Sequence, residues 1–356
     1  MEAITSTLAP DAQADRHAGL DPSRILQTAT AFWASKVLLT AVSSRLFTVL
    51  GDGAMTAQEL GAKLDLHPRG TFDFFDALVA LGFLHRDGDG PEARYRNTTE
   101  ASTFLDRNRP TYVGGICEML DSRLFGFWND LGTALRTGKP QSEIKREGKP
   151  FFEGLYASPA RLEEFLHAMA GVQAGNFHAL AEKFDFARYE TLADVGGALG
   201  TLSVIVGRRH PHLRLTTFDL PPVAPLATRN VEAAGMASRI AVASGDFFRD
   251  PLPRADVVTM GNILHDWNLE TKKLLIRKAY EALPAGGAFV AIENVIDDAR
   301  RENAFGLLMS LNMLVELGDG FDYTGAQFRE WCAEAGFRRC EIVPLAGPAS
   351  AAIAYK

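Results

Sequence analysis

Between Thr191 and Gly200 the sequence reads TLADVGGALG. An apolar run ends on an acid and breaks into three glycines, Gly196, Gly197 and Gly200. A buried strand delivers a ligand-binding turn in this way. In an open α/β sheet the ligand lies beyond the carboxyl ends of the strands, and glycine lets the backbone approach it without a Cβ in between. Residues 202–208 (LSVIVGR) read as the first helix and 213–218 as the next strand, which again ends on an acid, Asp219. That acid falls near the ~20-residue offset at which a second-strand carboxylate meets ribose hydroxyls.

The glycine spacing narrows the guest. Gly197 and Gly200 fit the last two positions of the dinucleotide fingerprint G-x-G-x-x-G, but Val195 stands where its first, turn-forming glycine belongs. A pyrophosphate is therefore not the natural ligand. A nucleoside without phosphates suits an acid-flanked turn better, and S-adenosylmethionine is such a molecule. On the motif alone, an ordinary strand-turn-helix with permissive glycines fits equally well.

Around this stretch, 356 residues at 47% hydrophobic and 23% charged supply enough chain for two domains with cores of their own. The longest apolar region, 31–50, is interrupted by Lys36, Ser43, Ser44 and Arg45, so no membrane span is expected. Residues 1–20 lack a basic region followed by an apolar one and read as a floppy lead rather than a signal peptide, which points to the cytoplasm. Cys117, Cys332 and Cys340 form no CxxC pair and read as reduced thiols. A net charge of −7 argues against a nucleic-acid partner, since phosphate neutralisation needs a basic face.

The first half reads as helices and a wing. Residues 22–50 carry helical spacing with an apolar face wider than a surface helix needs, through Ile25, Phe32, Val37, Leu38, Val42 and Leu46. Thr56 and Glu59 make a capping box, Pro68 opens a second helix, and 83–85 and 94–96 flank a DGDG turn as a hairpin. Helix, turn, helix, hairpin is a winged helix, and 21–110 are expected to form it. Its second helix offers only His67 and Arg69 against Asp73 and Asp76, too little base for a DNA groove. The expected partner is another copy of the chain, in a homodimer. Residues 111–185 read as a helical connecting region lining an acceptor pocket, with the polar TGKPQSEIKREGKP as a linker within it.

Strands and helices alternate through 186–356, which predicts a doubly wound, mostly parallel α/β sheet of Rossmann-like type, with 337–345 and 350–355 as a closing antiparallel pair. The turn SGDFF places Asp246 just past a strand end, as an acceptor for an adenine amine or as a plain Asx-turn residue. NILHDWN follows the strand 255–261 and makes His265 the catalytic candidate, with Glu293 at the next strand end as a nearby acid.

DVGGALG (194–200), FDLP (218–221), GDFF (245–248) and ILHDW (263–267), in that order, resemble the class I small-molecule O-methyltransferases of the acetylserotonin, caffeate and bacterial natural-product group. The resemblance spans nearly the whole chain. It implies that Asp194, Gly196, Gly197 and Gly200 hold the methionine part of S-adenosylmethionine. Asp219 with Leu220 takes the ribose, Asp246 with Phe247 lies by the adenine, and Trp267 walls the cofactor. It implies further that His265 deprotonates a hydroxyl of a small aromatic or polyketide-like acceptor, oriented by Glu293 and by a second acid read as Asp322. The sequence departs at Ala198, where the family has a third glycine, and at Asp322, where Glu is commoner. Candidates for the acceptor pocket are Phe125, Trp128, Phe165, Met169, Phe177, Met309, Asn312 and Met313.

No metal is expected, because the sulfonium needs none and no histidine and carboxylate cluster shows ligand spacing. The alternatives are a C-methyltransferase acting on an α-keto acid, a non-methylating relative using the same cofactor, and a winged-helix DNA-binding regulator.

Overall fold

The structure, a computed structural model, describes residues 20–148, 151–156 and 158–356. The floppy-lead reading of 1–20 therefore lies outside the described residues except at Leu20. The chain divides into two units, the first ending at Thr98 and the second running from Thr99 to Lys356.

The first unit has the expected winged-helix parts. Helices Ser23–Ser43 and Leu46–Leu50 precede the pair Ala57–Lys63 and Pro68–Ala80. Strands β1 (Met55–Thr56), β2 (Leu84–Asp87) and β3 (Arg94–Asn97) form a sheet in the order β1-β3-β2. The capping box is present in full, with the Glu59 amide donating to Thr56 Oγ1 and the Thr56 amide to Glu59 Oε2. Helix Ser23–Ser43 passes as a membrane span by length and composition, which the sequence reading did not anticipate. Ile25, Leu26, Phe32 and Trp33 on it are exposed.

The second unit is built on a seven-stranded sheet. Its strands are β4 (Thr191–Val195), β5 (Arg214–Asp219), β6 (Ile240–Ser244), β7 (Val257–Gly261), β8 (Ala288–Glu293), β9 (Arg339–Pro344) and β10 (Ser350–Tyr355). They lie in the order β6-β5-β4-β7-β8-β10-β9, with β4 to β8 parallel and β10 antiparallel to both neighbours. Every residue of β8 is buried, as expected of a strand covered on both faces.

Alternate side chains feed two apolar layers. Ala193, Met260, Phe289 and Ala291 pack with Phe328 and Trp331, while Leu192, Val257, Val290 and Ile292 pack with Leu180, Leu202 and Val206. The chain order reverses direction between β4 and β7, and this is the switch point at which such sheets bind their ligands.

Helical segments follow one another without a break through 114–137, with a π-helical turn, Leu120–Leu124, between Gly114–Met119 and the segments leading into Leu131–Thr137. The linker reading needs correction, because that segment carries structure. It contains helix Glu143–Glu147, and Gln141 and Ser142 are buried. The reason is hydrogen bonding: the Gln141 amide donates to the Val315 carbonyl and Ser142 Oγ to the Glu316 carbonyl, satisfying the open C-terminal turn of helix Ala304–Glu316.

Candidate active site

The glycine turn leaves β4 and folds back on β5. The amides of Gly196 and Gly197 both donate to the Phe218 carbonyl, at 2.8 and 3.2 Å. A Cβ on Gly197 would lie 2.9 Å from the Asp194 carbonyl oxygen and nearer still to Thr217 Oγ1, and one on Gly196 would enter the Ile263 side chain. Only glycine permits this approach. Asp219 Oδ2 accepts from the Ala198 amide at 2.9 Å and Oδ1 from the Leu220 amide at 2.7 Å. Each oxygen keeps a second lone pair for a ligand hydroxyl. Burial raises the Asp219 pKa against those two donors.

Asp194 sits beneath the turn, 3% exposed, accepting from Thr259 Oγ1 at 2.8 Å, and burial pushes its pKa up to about 7. Asp246 Oδ1 caps its own turn by accepting from the Phe248 amide at 2.8 Å. Phe247 and Phe248 meet Trp267 edge to face, at 6.2 and 4.8 Å between centroids, forming an aromatic corner of the kind a nucleobase fits.

His265 lies in the short turn Leu264–Asp266 beyond β7, the strand next to β4. It is almost wholly buried. Its Nδ1 is 3.8 Å from Glu293 Oε2 and 3.6 Å from Asp322 Oδ1, and its Nε2 is 3.4 Å from Asp266 Oδ1. These are ion-pair distances at or beyond the limit of hydrogen bonding. Glu293 does more than face the ring, because its Oε1 accepts from the Leu264 amide at 2.9 Å and so holds the turn.

Asp322 is fixed through its backbone. Its amide donates to Ser310 Oγ at 3.2 Å, and the neighbouring Tyr323 carbonyl accepts from the Ile296 amide at 2.9 Å. Gly320 lets this loop reach the histidine, since a Cβ there would lie 2.7 Å from the His265 carbonyl oxygen and 2.8 Å from that of Asp266. The grouping of one histidine and two carboxylates within 4.8 Å, invisible in linear spacing, is made by the fold.

The charges in this cluster set one another's protonation. Burial opposes a proton on His265, but Glu293, Asp266 and Asp322 outweigh it and push the ring up to about 10. Burial likewise pushes Glu293 and Asp266 up to about 7, although the His265 charge pulls both down. The groups titrate as a set.

Trp128 and Asn312 meet directly, with the indole Nε1 donating to Asn312 Oδ1 at 2.8 Å. Asn312 continues to Glu316 at 3.2 Å, and Glu316 to Arg123 at 3.0 Å. Phe165 packs in a cluster that includes Leu199 of the glycine turn, and Phe177 packs in the apolar layer with Leu180. Met313 is buried, and Phe125, Met169 and Met309 are half-buried.

Sequence reasoning missed Gly320, Thr259 and Lys272. Lys272 has no exposed surface, and its position gives it away: it shares a helical face with Leu275, Ile276 and Ala279, all buried.

Known proteins are similar to this chain in sequence and fold. The O-methyltransferase domain model matches residues 128–338, and the O-methyltransferase dimerisation domain model matches 26–107. Among similar proteins, the tetracenomycin polyketide synthesis 8-O-methyl transferase TcmO of Streptomyces glaucescens is 43% identical, over 94% of this chain and 97% of its own. The N,N-dimethyltransferase OxyT of Streptomyces rimosus is 36% identical, over 94% and 93%. The crystal structure of human N-acetylserotonin methyltransferase in complex with SAM superposes with a TM-score of 0.86 at 27% identity, covering 98% of this chain and 99% of that one. The chain belongs to the S-adenosylmethionine-dependent O-methyltransferase family and carries that family's dimerisation domain.

Proposed function

We propose that the chain methylates a hydroxyl of a small aromatic, polyketide-like acceptor, with His265 as general base. The observation that carries the reading is the buried His265 ring with Glu293 and Asp322 against Nδ1; the acceptor is assigned to Nε2, which has Asp266 Oδ1 beside it at 3.4 Å. Acids on one side of an imidazole stabilise the imidazolium formed when the other side takes a proton. A ring whose proton affinity is raised to about 10 is matched to a phenol, for which tyrosine's ~10 is the reference.

Bound S-adenosylmethionine supplies an electrophilic methyl on a sulfonium. Gly196, Gly197 and Gly200 with Asp194 hold its amino-acid end, and Asp219 and Leu220 its ribose. Asp246, Phe247 and Trp267 surround the adenine. The fit rests on the turn that excludes any Cβ, on the spare lone pairs of Asp219 and on the aromatic corner. Glu293 and Asp322 act as positioning residues. Trp128, Asn312 and Met313, with Phe125, Phe165, Met169, Phe177 and Met309, bound the acceptor, and much of the acceleration comes from holding it at attack distance. The exposed apolar face of helix Ser23–Ser43 supports a homodimer through the first unit. The reading places the enzyme in the cytoplasm, with neither nucleic acid nor membrane as partner.

The test is transfer of labelled methyl to a panel of phenols, hydroxynaphthoates and keto acids, with the product position read by NMR. A methyl ether is expected, and label on carbon overturns the reading. Kinship with OxyT supports a second reading, an amine acceptor, which the same NMR spectrum separates. His265→Ala at full activity would remove the general base.

A further inference from the structure

The catalytic turn has a buried cation that the proposed mechanism does not use. Lys272 lies in the first turns of helix Leu269–Ala282 with no exposed surface. Its Nζ donates to the Trp267 carbonyl, at the end of the His265 turn, and sits 3.6 Å from the centroid of the Phe321 ring, next to Asp322. Two loops thus converge on one ammonium. The charged and titratable groups that face it are Glu293 from the end of β8, Asp322 from the loop after helix Ala304–Glu316, and Asp266 from the turn itself. Those same three carboxylates face His265. Glu316, held by Arg123, adds a further negative charge that acts on Asp266.

The consequence is electrostatic. A base must start without its proton, yet three carboxylates around one imidazole favour keeping it there. Burying a lysine is costly, and here the Trp267 carbonyl, the face of the Phe321 ring and the field of the same acids offset that cost. We propose that Lys272 is a positioning residue for methyl transfer: its ammonium fixes the Trp267 carbonyl and offsets part of the carboxylate charge, so that His265 releases its proton more readily than it would among three unopposed acids. Burial lowers the lysine itself to about 8 against the pull of Glu293, Asp322 and Asp266, so it stays charged through the neutral range. The inference rests on His265 being the base, and its test is separate from that reading.

The experiment is a histidine NMR titration of the full-length protein with S-adenosylhomocysteine added, the His265 signal being identified by its loss in His265→Gln. No acceptor is needed. In Lys272→Met the His265 midpoint should rise by about one unit or more, a tenfold greater affinity for the proton. In Lys272→Arg, which keeps the charge, it should stay within about half a unit of wild type. A midpoint unmoved in Lys272→Met overturns the proposal, and so does an equal displacement in the Met and Arg variants. Should Lys272→Met fail to fold, Lys272→Gln replaces it, because the amide can still donate to the Trp267 carbonyl while lacking the charge. If neither neutral variant folds, a midpoint displaced by about a unit in Lys272→Arg overturns the proposal and an unmoved one supports it. If His265→Ala turns over acceptor at the wild-type rate, the base reading fails whatever the titration shows.

Discussion

The glycine turn and the His265 cluster lie at the exits of adjacent strands, β4 and β7, yet they are made of different material. The turn is backbone: amides of Gly196, Gly197, Ala198 and Leu220 find their acceptors on Phe218 and Asp219, and its requirements are met within a few residues of β4 and β5. The cluster is charge. Its ring, carboxylates and ammonium come from four separate segments, and His265 Nδ1, Glu293 Oε2 and both Asp322 oxygens lack hydrogen-bond partners among the described residues. One region holds a fixed shape through its backbone bonds, with Thr217 Oγ1 as its one unpartnered buried side-chain atom among the described residues, and the other keeps several unsatisfied groups for a reaction. Burial of unpaired polar atoms is costly, and active sites are where that cost is retained.

The division can be broken or sharpened by substitution. His265→Ala should lower kcat by about 10²- to 10⁴-fold while leaving the calorimetric affinity for S-adenosylhomocysteine within a factor of about two. If cofactor affinity falls with turnover, the two regions are not separable. Gly197→Ala should do the reverse, costing roughly 1–3 kcal/mol of cofactor binding or stability by forcing the turn off Thr217 and the Asp194 carbonyl. Thermal melts with and without ligand would show it.

Asp194 gives a pH test. Its folded pKa of about 7 lies above the ordinary 3.8, so folding favours the protonated acid. The stability it contributes is complete below the ordinary value and is lost as pH climbs through 7. Asp194→Asn cannot ionise, and its advantage in melting over wild type should grow by roughly 1–2 kcal/mol between about pH 5.5 and 8.5. An advantage independent of pH would mean that the carboxyl ionises freely under the turn. The smallest effect belongs to Ala198, held at φ 49° in the left-handed region that favours glycine. Ala198→Gly should relieve that strain and raise stability by up to about 1 kcal/mol in denaturant melts, since glycine's greater unfolded freedom offsets part of the gain.

The same contrast explains what the sequence revealed. The turn was legible because its chemistry is local: strand, acid, glycines, helix and the second acid follow one another within a single βαβ unit. Asp246 was legible only as two alternatives, and the fold shows the Asx-turn bond without removing the acid from the aromatic corner. His265 and Glu293 were readable as strand-end residues, but their distance was not. Asp322 depends on Ser310, Ile296 and Gly320 to arrive at the ring, and none of these marks itself in a linear reading. Lys272 resembles any charged helix residue until the face it shares with Leu275 and Ile276 is counted. The linker reading failed for a related reason: Gln141 and Ser142 are polar, and their partners lie on a helix more than 170 residues away.

β8, which carries Glu293 at its end, is flanked by β7 on one side and β10 on the other, with Ser350 opposite Glu293. The strands that shape the glycine turn are consecutive, whereas β8 gains its second neighbour only after helices Ala304–Glu316 and Gly325–Ala335 and strand β9 have been traversed. Closing that longer loop is the slower event in folding. A refolding chain is therefore expected to form its glycine turn before the strand end that carries Glu293 is held on both sides.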